Sequence, residues 1–233
     1  MKNTIWFFGD SFTAGDGCDK DRPIDGQYLK EYPKGILWTQ GVANHFRMNI
    51  KNMSTGGASN DWIINSLINE LPNIQPNDIV VFQLSFPERF QLIDKYDKNY
   101  TNFIPTDFVE LDNSNNIILD KDDKKYNQEL YEALRIYLIE YRIQHHDILI
   151  DYQRNQAQKL LKKIEESDVQ TLLWDISNKP SFETIDDVIG NGDKHWSWGG
   201  HKTWMNICIS LLENGVIEYK PYPHPKGSSV KIV

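Results

Sequence analysis

Short apolar runs closed by Gly, Pro or Asn alternate along this chain with longer stretches of helical periodicity. Thr4–Phe8 is apolar and runs into Gly9-Asp10, which predicts a buried strand entering a tight turn. Gly35 to Phe46 predicts a helix. Asn49–Ser54 predicts a second strand, stopped by Gly56-Gly57. Asp61–Leu71 predicts a helix with Ser59 or Asn60 as N-cap and Pro72 as terminator. Asp78–Leu84 is nearly all apolar, as strands covered on both faces are. Val169–Ile176 predicts a fourth strand, and Gly200–Leu212 a last helix.

Between the third and fourth strands the pattern breaks. Phe90 to Lys125 is rich in Asp, Asn, Lys and Tyr and has weak periodicity, so it is expected to be an insertion outside the core. In that position it would form a lid or an assembly surface. Tyr126 to about Ser167 predicts one long helix or two consecutive ones, with Leu130, Leu134, Tyr137, Leu138 and Tyr141 on the apolar positions. Strands alternating with helices predict an α/β domain, a parallel sheet covered on both faces. One domain is expected over residues 1–215, with an insertion at about 90–150 and a Pro-rich surface tail over 216–233. Sheets of this kind place their sites at the carboxyl ends of the strands.

Composition narrows the partners. With 39% hydrophobic and 25% charged residues, the chain can build a packed core. A net charge of −8 repels phosphate backbones, so nucleic acid is a poor partner. The only two cysteines, Cys18 and Cys208, lie far apart without metal-ligand spacing, which favours a reducing compartment. No apolar run approaches the ~18 residues of a membrane span, so no membrane partner is expected. The start of the chain is too short for a signal peptide and leads straight into Gly9-Asp10-Ser11. The expected location is therefore cytoplasmic, with release by lysis or association with a virion left open.

Two segments carry candidate chemistry. Gly9-Asp10-Ser11-Phe12-Thr13-Ala14-Gly15 puts a serine just after a buried strand, with its hydroxyl expected at the rim and the following N–H groups able to face an oxyanion. Its other reading is an ordinary strand-to-helix turn with Ser11 as N-cap. Near the far end, Asp193-Lys194-His195-Trp196-Ser197-Trp198-Gly199-Gly200-His201 sets a carboxylate two residues before a histidine, where it could orient the imidazole. The other reading there is a polar loop with His195 merely solvated.

Together these segments resemble the SGNH/GDSL hydrolases. Gly9-Asp10-Ser11 is similar to the family's first block. Asn52-Met53-Ser54-Thr55-Gly56-Gly57-Ala58-Ser59 is similar to its second, an Asn followed five residues later by the oxyanion-hole Gly. Asp193 to His201 is similar to the last block, in the variant with Trp after the His. The blocks stand in the family's order, over about residues 4–85 and 169–212, and the insertion lies outside the resemblance. The resemblance implies a three-layer α/β/α, flavodoxin-like parallel sheet with the insertion after the third strand. It implies ester hydrolysis, including O-acetyl groups on sugars, through an acyl-enzyme and without cofactor or metal. Ser11 would be the nucleophile, His195 the base and Asp193 its orienter. The N–H groups of Ser11 and Gly57 would form part of the oxyanion hole.

One block departs. The family's Gly-x-Asn-Asp after the third strand, whose Asn is the third oxyanion donor, is replaced by Gln83-Leu84-Ser85-Phe86-Pro87-Glu88-Arg89. Ser85 falls at the Asn position and is the expected third donor, with Gln83 and Arg89 as substitutes. In the plainer reading, Ser85 ends a strand and Arg89 pairs with an acid. This departure keeps two alternatives open: a non-catalytic binding or structural module of the same fold, and an acyltransferase. Trp196 and Trp198, with Arg89, are candidate substrate contacts, because exposed indoles stack on sugar faces. Trp is also often simply core. His145-His146 point to different helix faces and fit a solvated surface better than a metal. His201 is expected to support the loop by packing, and Cys18 has no assigned role. The acyl group, the alcohol and the oligomeric state are not legible in the sequence.

Overall fold

The computed structural model of the chain describes residues 2–15, 23–24, 27–28, 36–93, 100–103, 110–111, 117–118, 133, 136–137, 141–142, 145–176, 196 and 198–219. Its centre is a four-stranded sheet of β1 (Thr4–Phe8), β4 (Asn49–Asn52), β5 (Ile79–Leu84) and β10 (Gln170–Asp175), in the order β10-β5-β1-β4. Every pairing in it is parallel. Ile5 is level with Ile50 and with Ile79, and Gln170 is level with Ile79. The chain therefore starts in the middle of the sheet, steps out to β4, and returns across β1 to β5 and β10. All the carboxyl ends lie along one edge.

Side chains alternate across the sheet because successive residues of a strand point to opposite faces. Ile5, Phe7, Ile79, Val81, Leu172 and Trp174 face one side, under α2 (Trp38–Phe46) and α5 (Trp198–Glu213). Trp6, Phe8, Val80, Phe82, Leu84 and Leu173 face the other, under α3 (Asn60–Glu70) and α4 (His146–Glu165). This is the three-layer α/β/α arrangement. Every residue of β5 is buried, as its apolar run requires. On the first face Trp38, Trp174, Trp196 and Trp204 pack together, with Trp174 and Trp204 ring centroids 4.6 Å apart. Each such ring removes roughly 150–250 Å² from water, about 4–6 kcal/mol of transfer free energy as an upper value.

Several boundaries differ from the sequence expectation. α2 begins at Trp38 rather than Gly35, and β4 ends at Asn52 rather than Ser54. α3 starts as expected, with Ser59 Oγ accepting from Trp62 N at 3.3 Å. Within the expected 126–167 helical stretch, His146–Glu165 form α4, and residues 126–132, 134–135, 138–140 and 143–144 lie outside the described residues. Short antiparallel pairs stand where weak periodicity gave no signal: β2 (Pro23–Ile24) with β3 (Gln27–Tyr28), β6 (Phe90–Ile93) with β7 (Tyr100–Phe103), and β8 (Glu110–Leu111) with β9 (Ile117–Ile118). The chain just beyond Gly215 was expected to be surface tail. Residues 217–219 lie beside β10, where Leu173 N donates to Ile217 O at 2.8 Å and Tyr219 N donates to Leu173 O at 2.8 Å, while the Ile217 side chain stays exposed. Among the described residues, no helix is long and apolar enough to cross a membrane.

Candidate active site

The Gly9–Gly15 turn sits at the carboxyl end of β1. α1 (Ser11–Ala14) follows at once, and its N-cap is Asp10, whose carboxylate accepts from Phe12 N at 3.0 Å. Ser11 is therefore the first helical residue and not the cap. Among the described residues, no hydrogen bond engages its hydroxyl. The serine is only 4% exposed, so it sits deeper than the rim position expected from sequence. Gly9 has no room for a side chain. A Cβ there would stand 2.4 Å from Gln83 Oε1 and 2.6 Å from Thr13 Oγ1.

The second turn is fastened to the first. Met53 N donates to Phe7 O at 2.8 Å and Thr55 N to Gly9 O at 3.3 Å, so the chain beyond β4 runs alongside the end of β1. Asn52 Nδ2 donates to Thr13 O at 2.9 Å, while its Oδ1 accepts from Ser54 N. Gly57 takes a positive φ of 72°, which a residue without Cβ adopts freely. The strand order makes this contact: β1 and β4 are neighbours, so their carboxyl-end turns are neighbours too.

The end of β5 closes around Asp10. The Asp10 side chain is fully buried and receives four donors. Oδ1 accepts from Phe12 N at 3.0 Å and from Gln83 Nε2 at 2.6 Å. Oδ2 accepts from Ser85 Oγ at 2.7 Å and from Arg89 Nη1 at 3.0 Å. Gln83 Oε1 in turn accepts from Asp10 N at 3.3 Å and from the Thr13 hydroxyl. Ser85 also accepts from Arg89 Nη1 at 2.8 Å, and its backbone is bracketed by Asn60, which donates to Ser85 O and accepts from Ser85 N. A buried carboxylate is tolerable only when paired and hydrogen-bonded, and here both conditions are met.

Ser85, the expected third donor, is turned toward Asp10 in this arrangement. A hydroxyl has one proton, and that of Ser85 is directed at Asp10, so in this arrangement it has none to give to a bound oxyanion. Gln83 Nε2 donates to the same carboxylate. Arg89 is held by its backbone as well as its side chain. Arg142, 5% exposed, donates through Nη2 to Pro87 O at 2.6 Å and to Arg89 O at 2.9 Å. The Arg89 guanidinium lies over the Phe86 ring, 4.8 Å from its centroid. Sequence reasoning missed Asp10 as the hub. The available signal was Gln83, an amide inside an otherwise apolar buried strand, which had to find partners there.

Trp196 is also corrected. It is 2% exposed, stacked near Trp174 and edge-on to Phe12 at 5.2 Å, and so belongs to the core rather than to an open sugar platform. His201 is buried edge-on against Trp196, the packing role expected of it. His146 contacts Glu88, and His145 lies 2.7 Å from Tyr141 O. Among the described residues, no cluster of His, Cys, Asp and Glu could hold a metal ion. Asp193, His195, Cys18 and the side chain of Trp198 lie outside the described residues.

No protein-family model matches the chain, and no curated protein matches it. Solved structures do. The chain is similar to an acetyl xylan esterase of the rumen bacterium Butyrivibrio proteoclasticus, at 10% identity and TM-score 0.42, covering 91% of this chain and 64% of that one. It is similar to a G-D-S-L family protein from Desulfitobacterium hafniense, at 10% identity and TM-score 0.41, covering 90% and 99%. It is also similar to an acetyl xylan esterase of Geobacillus stearothermophilus, at 14% identity and TM-score 0.35, covering 94% and 97%. The chain thus spans just under two thirds of the length of the Butyrivibrio enzyme. In the order of its sequence blocks the chain resembles the SGNH/GDSL hydrolases.

Proposed function

We propose that this chain is a serine ester hydrolase working through an acyl-enzyme, with O-acetyl groups on a carbohydrate as its substrate class. One observation carries the reading. Trp196, the residue after His195, packs edge-on against Phe12, the residue after Ser11, with ring centroids 5.2 Å apart. Trp196, from the far part of the chain, therefore packs against the residue next to Ser11, which supports a shared site. The Ser11 hydroxyl, which no hydrogen bond engages among the described residues, and the fastened Gly57 turn support the same reading.

In this mechanism Ser11 Oγ attacks the ester carbonyl while His195 takes its proton, and Asp193 steadies the resulting imidazolium. The carbonyl electron pair moves onto oxygen, facing the N–H groups of Ser11 and Gly57. Collapse expels the alcohol, which leaves with the proton from His195. Water then repeats the sequence on the acyl-enzyme and releases the acid.

The test is labelling by a fluorophosphonate probe together with turnover of p-nitrophenyl acetate. Wild type should label and turn over, while Ser11→Ala and His195→Ala should do neither and stay folded. An unlabelled wild type would favour a binding module, and unchanged activity in Ser11→Ala would remove the nucleophile assignment. Acetate release from acetylated xylan, measured against longer acyl esters, tests the substrate class. Ester products formed with a sugar acceptor would instead mark an acyltransferase.

A further inference from the structure

We propose that Arg89 is the third oxyanion-stabilising group of this site, a cation in place of a neutral amide; this rests on the esterase reading above. The placement is specific. Arg89 Nη1 lies 3.0 Å from Oδ2 of Asp10, the residue before Ser11, and 3.5 Å from the carbonyl of Ala58, the residue after Gly57. One guanidinium nitrogen thus touches the immediate neighbours of both residues whose N–H groups would hold the oxyanion. The other polar groups at the end of β5 are engaged elsewhere. Gln83 is bound to Asp10 and Thr13, and Ser85 gives its proton to Asp10.

Arg89 retains donors. A guanidinium carries five N–H groups, and among the described residues only Nη1 makes hydrogen bonds, which leaves Nη2 and Nε for a ligand. The side chain is 12% exposed, enough to border a site but not to be swamped by water. Its guanidinium rests over the Phe86 ring and its backbone carbonyl is held by Arg142, so the group is positioned before substrate arrives. Fixed donors facing a charge that appears only in the transition state raise kcat rather than lower KM.

A structural role for Arg89, neutralising Asp10, must be separated from this one. The double variant Asp10→Asn/Arg89→Gln removes both charges and leaves amides able to hydrogen-bond in their place. Arg89→Lys keeps the charge but not the planar fork. If Arg89 faces the oxyanion, the double variant folds and still labels at Ser11, but its kcat on p-nitrophenyl acetate falls about 10²–10³-fold with KM little changed. Inhibition by a boronic acid, which forms a tetrahedral adduct on serine, should weaken in parallel, and Arg89→Lys should lie between. Recovery of wild-type kcat in a folded double variant would overturn the proposal, since charge pairing alone would then explain Arg89. A loss confined to KM would also overturn it. A wild-type chain that takes up no fluorophosphonate would overturn the esterase reading and this proposal together. Labelling with normal kcat in the double variant overturns only the proposal.

Discussion

Asp10 Oδ2 and Arg89 Nη1 stand 3.0 Å apart, joining the residue before the candidate nucleophile to the loop beyond β5. The carboxylate is wholly buried and the guanidinium nearly so, which makes the pair a condition of the turn's shape rather than a surface decoration. Truncating one member leaves an uncompensated buried charge. Arg89→Ala is expected to cost about 3–5 kcal/mol in urea unfolding at neutral pH, and Asp10→Asn/Arg89→Gln should recover most of that. If Arg89→Ala unfolds at the wild-type midpoint, Asp10 does not depend on its partner.

Gly9→Ala tests how tightly the turn is held. The added methyl would meet Gln83 Oε1 at 2.4 Å and Thr13 Oγ1 at 2.6 Å, and both atoms are already bonded to each other. Neither can retreat without breaking the cluster around Asp10. A loss of about 1–3 kcal/mol in stability is expected, together with slower fluorophosphonate labelling as Ser11 shifts. Wild-type melting and labelling in this variant would mean that the turn has slack.

Trp196→Ala separates core from sugar platform. A buried indole packed against Phe12, Trp174, Trp204 and His201 should cost about 3–5 kcal/mol when removed, seen as a lower Tm and an altered near-ultraviolet dichroism band. An exposed platform would instead lose affinity for polymeric substrate at unchanged Tm.

Cys208 should be chemically silent. It is fully buried among Trp204, Leu212 and the sheet, and burial pushes its thiol well above the usual thiol range, so almost no thiolate forms at pH 8. Iodoacetamide at that pH is expected to leave the Cys208 peptide unmodified in native protein and to alkylate it in urea, as peptide mass spectrometry would read. Alkylation of the native chain at the urea rate would contradict this burial.

The sequence by itself determined the layers and the order of the blocks. A short apolar run such as Thr4–Phe8, or one apolar but for Gln83 such as Ile79–Leu84, has few other places to go than a covered sheet, and Ser59 caps α3 by a purely local bond. Local chemistry also placed Gly9, Ser11 and Gly57 in turns at strand ends. The partnership around Asp10 was decided only by the tertiary structure. Asp10 and Gln83 lie 73 residues apart, and Asp10 and Arg89 lie 79 apart, so no periodicity links them. They meet because the strand order sets β5 beside β1. The same holds for Trp196, whose burial depends on α2, β10 and α5 closing around it. An indole or a hydroxyl is compatible with both core and site, and only its neighbours decide whether its polar atom or its face is left for a ligand. For Ser85 and Trp196 those neighbours come from distant strands and helices, and they hold the Ser85 hydroxyl at Asp10 and bury the Trp196 indole.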